Sequence, residues 1–176
     1  ALHDALPISG LEAYHIGQLT LFGAELIHGE FCAQGVIRRS HDAVDPVGFT
    51  IAMNGSRIGI ATDLGIATAL VEQHLKACHC LVIEANHDME MLINGPYPWP
   101  LKQRIRGRNG HLSNEAAEVL LRSVMHADLK HVILGHLSET NNTSDQALKI
   151  VRQAIDGSVA DISVALQDRS GPVLTL

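Results

Sequence analysis

Three short segments of this chain end apolar runs with side chains able to bind metals: Ser40-His41-Asp42, Thr62-Asp63-Leu64-Gly65 and Gly135-His136-Leu137-Ser138. Two imidazoles and a carboxylate make a nitrogen-and-oxygen ligand set suited to Zn²⁺, Mn²⁺ or iron. The carboxylate has two oxygens and can bridge two ions, which an imidazole cannot. Ions bridged in this way, roughly 3.5–4 Å apart, clamp the attacking and leaving oxygens in phosphoryl chemistry. Each residue also has an ordinary reading. A histidine at a strand end is commonly a hydrogen-bonded structural residue, and Asp-Leu-Gly alone is a turn signal. The ordered set of three, with its neighbours, is what favours the reading as metal ligands.

Two further features border this set. Glu84 ends another apolar run, and His111 lies in a glycine-led loop just before a helix, where it could help Ser113 or Asn114 to cap that helix. Between Glu90 and Glu115 there is no acidic residue, in a chain with 19 of them. Lys102, Arg104, Arg106 and Arg108 fall in that stretch, preceded by Tyr97 and the single tryptophan, Trp99. Read as a loop, it forms a basic lip for a polyanion, with aromatics that can stack on bases. For Trp99, packing into the core between its prolines is the favoured reading. His87 faces the expected cleft, either as a substrate contact or as a structural residue.

The positions of these groups depend on the elements beneath them. Val47–Met53 reads as a strand, Asn54-Gly55 as a hairpin turn, and Arg57–Thr62 as the returning strand. Helical spacing of Ala67, Leu70, Val71 and Leu75 predicts a helix over 66–77. A buried strand over 81–85 ends in the Glu84 segment, and a Gly- and Pro-rich loop covers 94–100. A helix from Asn114 carries Ala117, Leu120, Leu121 and Val124 on one face. His131–Gly135 is a strand, and Thr143-x-x-Gln146 opens a helix over 144–155. A last strand covers 162–167. Strands alternating with helices give a layered α/β domain, and the whole chain reads as one domain. Ala1–Ser9 fits poorly with the rest of the chain and resembles a translated sequencing adapter.

Composition narrows the class. With 176 residues and 46% hydrophobic content there is material for one core. At 3% aromatic content that core must be aliphatic, and the net charge of −6 argues against a broadly basic surface. Cys32, Cys78 and Cys80 show no framework spacing, and no segment has the length of a membrane span or the pattern of a signal peptide. The expectation is a cytoplasmic protein with reduced thiols.

The same segments resemble a known family. Ser-His-Asp-Ala at 40–43, Thr-Asp-Leu-Gly at 62–65 and Gly-His-Leu-Ser at 135–138 look like the third, fourth and fifth metal motifs of the metallo-β-lactamase superfamily. Glu84-Ala85-Asn86-His87-Asp88, Gly95-Pro96-Tyr97-Pro98, Leu101-Lys102-x-Arg104-Ile105, Gly110-His111-Leu112-Ser113-Asn114 and Asn141-Asn142 resemble its WalJ/YycJ-type subgroup of nucleases. The resemblance implies part of an αββα sandwich, the C-terminal part, without the N-terminal strands. It implies a dinuclear zinc or manganese centre, with His41 on the first metal, Asp63 bridging and His136 on the second. It further implies a DNA substrate, with Lys102, Arg104, Arg106, Arg108, His87 and Asn142 as the candidate contacts. The pairing of Glu84 with His111 is similar to ribonuclease Z, where the histidine protonates the leaving oxygen and the glutamate orients it. The superfamily's His-x-His-x-Asp-His string is absent from this sequence, so half of the metal shell is missing. Two other readings stand beside the nuclease: a thioester, lactone or β-lactam hydrolase of the same fold, and an inactive fragment.

Overall fold

The computed structural model describes residues 19–21, 24–26, 32–38 and 47–176. A short antiparallel pair, β1 (Leu19–Leu21) and β2 (Ala24–Leu26), stands apart from a six-stranded mixed sheet. That sheet runs in sequence order: β3 (Cys32–Arg38), β4 (Val47–Met53), β5 (Ser56–Ala61), β6 (Cys80–Glu84), β7 (His131–Gly135) and β8 (Asp161–Val164). β3, β4 and β5 pair antiparallel, whereas β5 through β8 are all parallel. The turn between β4 and β5 is the expected one: Asn54 and Gly55 both take positive φ, 51° and 83°, as a two-residue hairpin with strand-matching twist requires.

Parallel strands need crossovers, and helices supply them. α1 (Ala69–Leu75) joins β5 to β6. α2 (Met89–Asn94), α3 (Trp99–Arg106) and α4 (Asn114–Val124) lie between β6 and β7, and α5 (Ser144–Val151) leads to β8 through a 3₁₀ turn over Arg152–Ile155. Four of these five helices open on a side-chain cap, from Thr68, Asp88, Ser113 and Thr143. The main core lies between these helices and one face of the sheet. Leu81, Ile83, Val132 and Leu134 meet Val71, Leu75, Leu120, Leu121 and Val151 there. The other face carries only a small cluster among the described residues, Ile51, Ile60 and Val82, flanked by Ile58 and Ile133.

Several sequence expectations need correction. The stretch read as a Gly- and Pro-rich loop with a basic continuation contains a helix, α3, and begins where another, α2, ends. Pro98 caps α3 and Pro100 sits in its first turn, where a missing N–H costs nothing. Trp99 is 56% exposed and not packed into the core. Leu70 is exposed, so α1 packs through Val71 and Leu75 and is shorter than expected. β8 ends at Val164, three residues earlier than expected. No described helix is long and apolar enough to cross a membrane.

Candidate metal centre

β5, β6 and β7 are parallel neighbours, so their C-terminal ends lie along one edge of the sheet. Ligand sites in open α/β sheets form outside such edges. β6 ends in Glu84, while Asp63 and His136 follow β5 and β7 within two residues. Both take the left-handed backbone conformation, with φ of 56° and 57°. Non-glycine residues in that region carry a modest strain, and such strain gathers where a side chain must be aimed.

Glu84 organises the site. Its side chain is fully buried, and its Oε1 accepts from His111 Nδ1 and from His136 Nδ1, each at 2.7 Å. Its Oε2 accepts from the backbone N–H of Leu64 at 2.7 Å and of Leu112 at 3.3 Å. Burial alone would raise the carboxyl above its ordinary range. The two imidazole hydrogen bonds, with the Leu64 amide, outweigh it and hold the group below that range. An ionised carboxylate can only accept, so both rings carry their proton on Nδ1 when neutral. Each Nε2 then bears the lone pair that can take a metal or a proton.

Around this carboxylate the two rings meet edge to face with centroids 5.0 Å apart. Asp63 Oδ1 lies 3.5 Å from His136 Nδ1, and Thr62 Oγ1 donates to Asp63 Oδ2. Asp63, His111 and His136 each offer a ligand atom within 4.8 Å of the others. Two imidazoles and a carboxylate at that spacing fit a borderline divalent ion such as Zn²⁺. The sequence had singled out Asp63 and His136 for this role and had kept His111 for proton transfer. His41, the third expected ligand, lies outside the described residues.

Backbone contacts lock the loops together. Asn86 Nδ2 donates to His136 O at 2.8 Å, and Ser138 N donates back to Asn86 O at 2.8 Å. The Gly110–Ser113 loop is held by Asn86 N on Leu112 O, and His111 N donates to Ile105 O. Gly65 faces the Arg108 carbonyl so closely that a Cβ there would collide with backbone. A cleft of about 530 Å³ opens over His111 and His136, and Tyr97, Leu101, Arg104, Ile105, Glu139 and Gln167 are among its lining.

Of the expected substrate contacts, Arg104 lines this cleft, while Arg106 and Arg108 are exposed nearby in sequence. Three others do not line this cleft. Lys102 is 8% exposed, and its Nζ donates to Ile93 O and Gly95 O, both at 2.7 Å, so its charge holds the end of α2. Asn142 is buried, donating to Ala85 O and exchanging side-chain hydrogen bonds with Asn114. His87 is buried, and neither ring nitrogen has a partner among the described residues. Burial pushes its pKa down to about 4, with Glu84 and Glu115 pulling the other way. The sequence missed the bond from Glu84 to His136 and the clamp through Asn86. An Asn directly after a strand's last residues was the available signal for the clamp.

No protein-family model matches the chain. It is 36% identical over 117 residues to exodeoxyribonuclease YycJ of Bacillus anthracis, covering 66% of this chain and 44% of that protein. It is 39% identical over 109 residues to exodeoxyribonuclease WalJ of Streptococcus pneumoniae serotype 2, covering 61% and 40%. The chain thus spans less than half the length of these curated relatives. Among solved structures, the metallo-β-lactamase fold protein YhfI from Bacillus subtilis superposes with a TM-score of 0.55 at 13% identity. That match covers 81% of this chain and 49% of YhfI. The chain therefore carries part of a metallo-β-lactamase fold, and its sequence resembles the YycJ/WalJ exodeoxyribonuclease subgroup.

Proposed function

We propose that this chain is the catalytic-edge portion of a metal-dependent phosphodiester hydrolase, a DNA exonuclease with a dinuclear zinc or manganese centre in the parent protein. The observation that carries this reading is the buried Glu84 carboxylate, which fixes His111 and His136 together beside Asp63. Asp63 and His136 would hold the metals, joined by His41. Such ions, when bound, supply Lewis acidity to the phosphoryl oxygens and acidify water. The exodeoxyribonuclease names of the relatives and the arginines at 104, 106 and 108 support a nucleic-acid substrate. Cys78 and Cys80 are free and buried, and burial pushes both thiols up to about 11, in keeping with the reduced thiols expected of a cytoplasmic protein.

In this reading His111 is the general acid. With Nδ1–H held by Glu84, protonation of Nε2 gives an imidazolium backed by an anion. As water bonds to phosphorus, releasing a proton to solvent, and the bond to the leaving oxygen breaks, the Nε2 proton passes to that oxygen. The group leaves as a neutral alcohol. Glu84 touches no reacting atom; it is a positioning residue for both rings.

The test is His111→Ala in the full-length parent, with metal content by mass spectrometry and Mn²⁺-dependent degradation of linear DNA measured side by side. The expected outcome is unchanged metal and turnover reduced by roughly 10²- to 10⁴-fold. Loss of metal would make His111 a ligand, and unchanged turnover would remove it from the chemistry.

A further inference from the structure

Helix α3 is inverted relative to its chemistry. Its one buried side chain is Lys102, while Leu101 and Ile105 are only partly covered and line the cleft over His111 and His136. Arg104 lines the same cleft, and so does Tyr97, just ahead of the helix. The spacing of Leu101, Arg104 and Ile105 puts them on one helical face. Stable helices turn such faces to a core. This one is turned to a cavity whose remaining walls include Asn86, Ser138, Glu139 and Gln167.

The inversion is built in at both ends. Lys102 ties α3 to the last carbonyls of α2, Ile93 O and Gly95 O, where cations are favoured. At the other end His111 N donates to Ile105 O at 2.9 Å, and Gly110 lies against the same carbonyl. The apolar stripe is therefore held at a set position relative to His111. An apolar strip with one cation, facing hydrogen-bonding groups across a cavity of about 530 Å³, suits a flat ring with polar edges and an attached anion.

We propose that Tyr97, Leu101 and Ile105 form the seat for the base of the nucleotide adjoining the scissile phosphate, and that Arg104 holds a phosphate of that nucleotide. The proposal rests on the nuclease reading and adds a base-contacting surface to it. Aromatic stacking tolerates any base, so the seat grips a strand end with weak sequence preference.

The test uses the 176-residue chain in EDTA and labelled single-stranded DNA tetranucleotides, read by fluorescence anisotropy. One carries normal terminal nucleotides, and the other an abasic residue at each end. The normal strand is expected to bind roughly 5- to 100-fold more tightly. Tyr97→Ala removes that advantage without weakening the abasic strand, and Tyr97→Phe retains it. Arg104→Gln weakens both strands equally and lowers the salt slope by about one. Equal binding of the two strands, no binding of either, or equal loss on both in Tyr97→Ala overturns the proposal. So does self-association through this face that the DNA does not compete away. Cleavage is scored separately in the parent with Mn²⁺. Base-dependent binding without cleavage strikes the nuclease reading alone. Cleavage at one rate for both strands strikes the seat alone.

Discussion

Glu84 and His87 lie three residues apart at the end of the same strand, and both are sealed from solvent, yet they solve burial in opposite ways. Glu84 remains charged because four donors surround it. His87 has no hydrogen-bond partner among the described residues and is held neutral by desolvation, its pKa lowered to about 4. A buried charge is tolerable when every lone pair is met, and a buried neutral ring is tolerable without partners because it gives up its charge. The first arrangement makes a group that other residues depend on; the second makes one that nothing visible depends on.

The largest effect should come from emptying the first arrangement. Glu84→Ala leaves two ring N–H groups and two backbone N–H groups without an acceptor, and should cost about 3–5 kcal/mol in urea unfolding. Glu84→Gln keeps the shape and loses the anion. It should weaken divalent-metal binding roughly 10- to 100-fold with a smaller loss of stability. A Gln variant with unchanged metal affinity would show that the shared carboxylate is packing alone.

The second arrangement is tested by pH. His87 is depressed in the folded state from 6.5 to about 4, so the unfolded chain binds more protons between those values. Stability is full above about pH 6.5 and falls as the pH drops toward 4, by about 3 kcal/mol. His87→Leu should abolish that slope while changing stability little at pH 7.5. Glu84 is also depressed, so its contribution is present above the unfolded carboxylate value and fades only as pH falls through its lower folded value. The remaining acid sensitivity of His87→Leu should therefore sit at lower pH. An unchanged slope above pH 4 would assign it to another group.

The smallest effect belongs to a charge pair outside this comparison. Arg122 donates to Glu118 four residues earlier on α4, with the arginine 61% exposed. Glu118→Gln should change thermal unfolding by no more than about 0.5 kcal/mol, less at high salt. A larger loss would mean that the neighbouring bond from Arg122 to Gln153 O shares the load.

The site was legible in part, for reasons that differ by residue. The strand ends at Asp63, Glu84 and His136 follow from hydrophobic runs and turn residues, and parallel pairing then brings them to one edge. The caps at Ser113 and Thr143 were readable because a short polar side chain before an apolar-periodic run has few other uses. α3 was not readable, because prolines on both sides of Trp99 mimic a loop signal unless the register places one in the first helical turn. Lys102 was misjudged for a related reason: a sequence gives the sign of a charge but not the direction of its stem. The pairing of Glu84 with His111 came from resemblance, since 26 residues separate them and no local pattern links them. Its second bond, to His136, follows only from the neighbouring positions of β6 and β7.

Two residues with no functional atom of their own constrain how this site can change. Gly65 lies against the Arg108 carbonyl and Gly110 against that of Ile105, so an added methyl at either would strike backbone, not a yielding side chain. The turn bearing Asp63 and the loop bearing His111 are thereby pressed into one rigid joint. Transplanting either segment alone into another scaffold would carry the reactive groups across and leave their alignment behind. The smallest portable unit runs from Asp63 to His111, with the strand that ends in Glu84 between them.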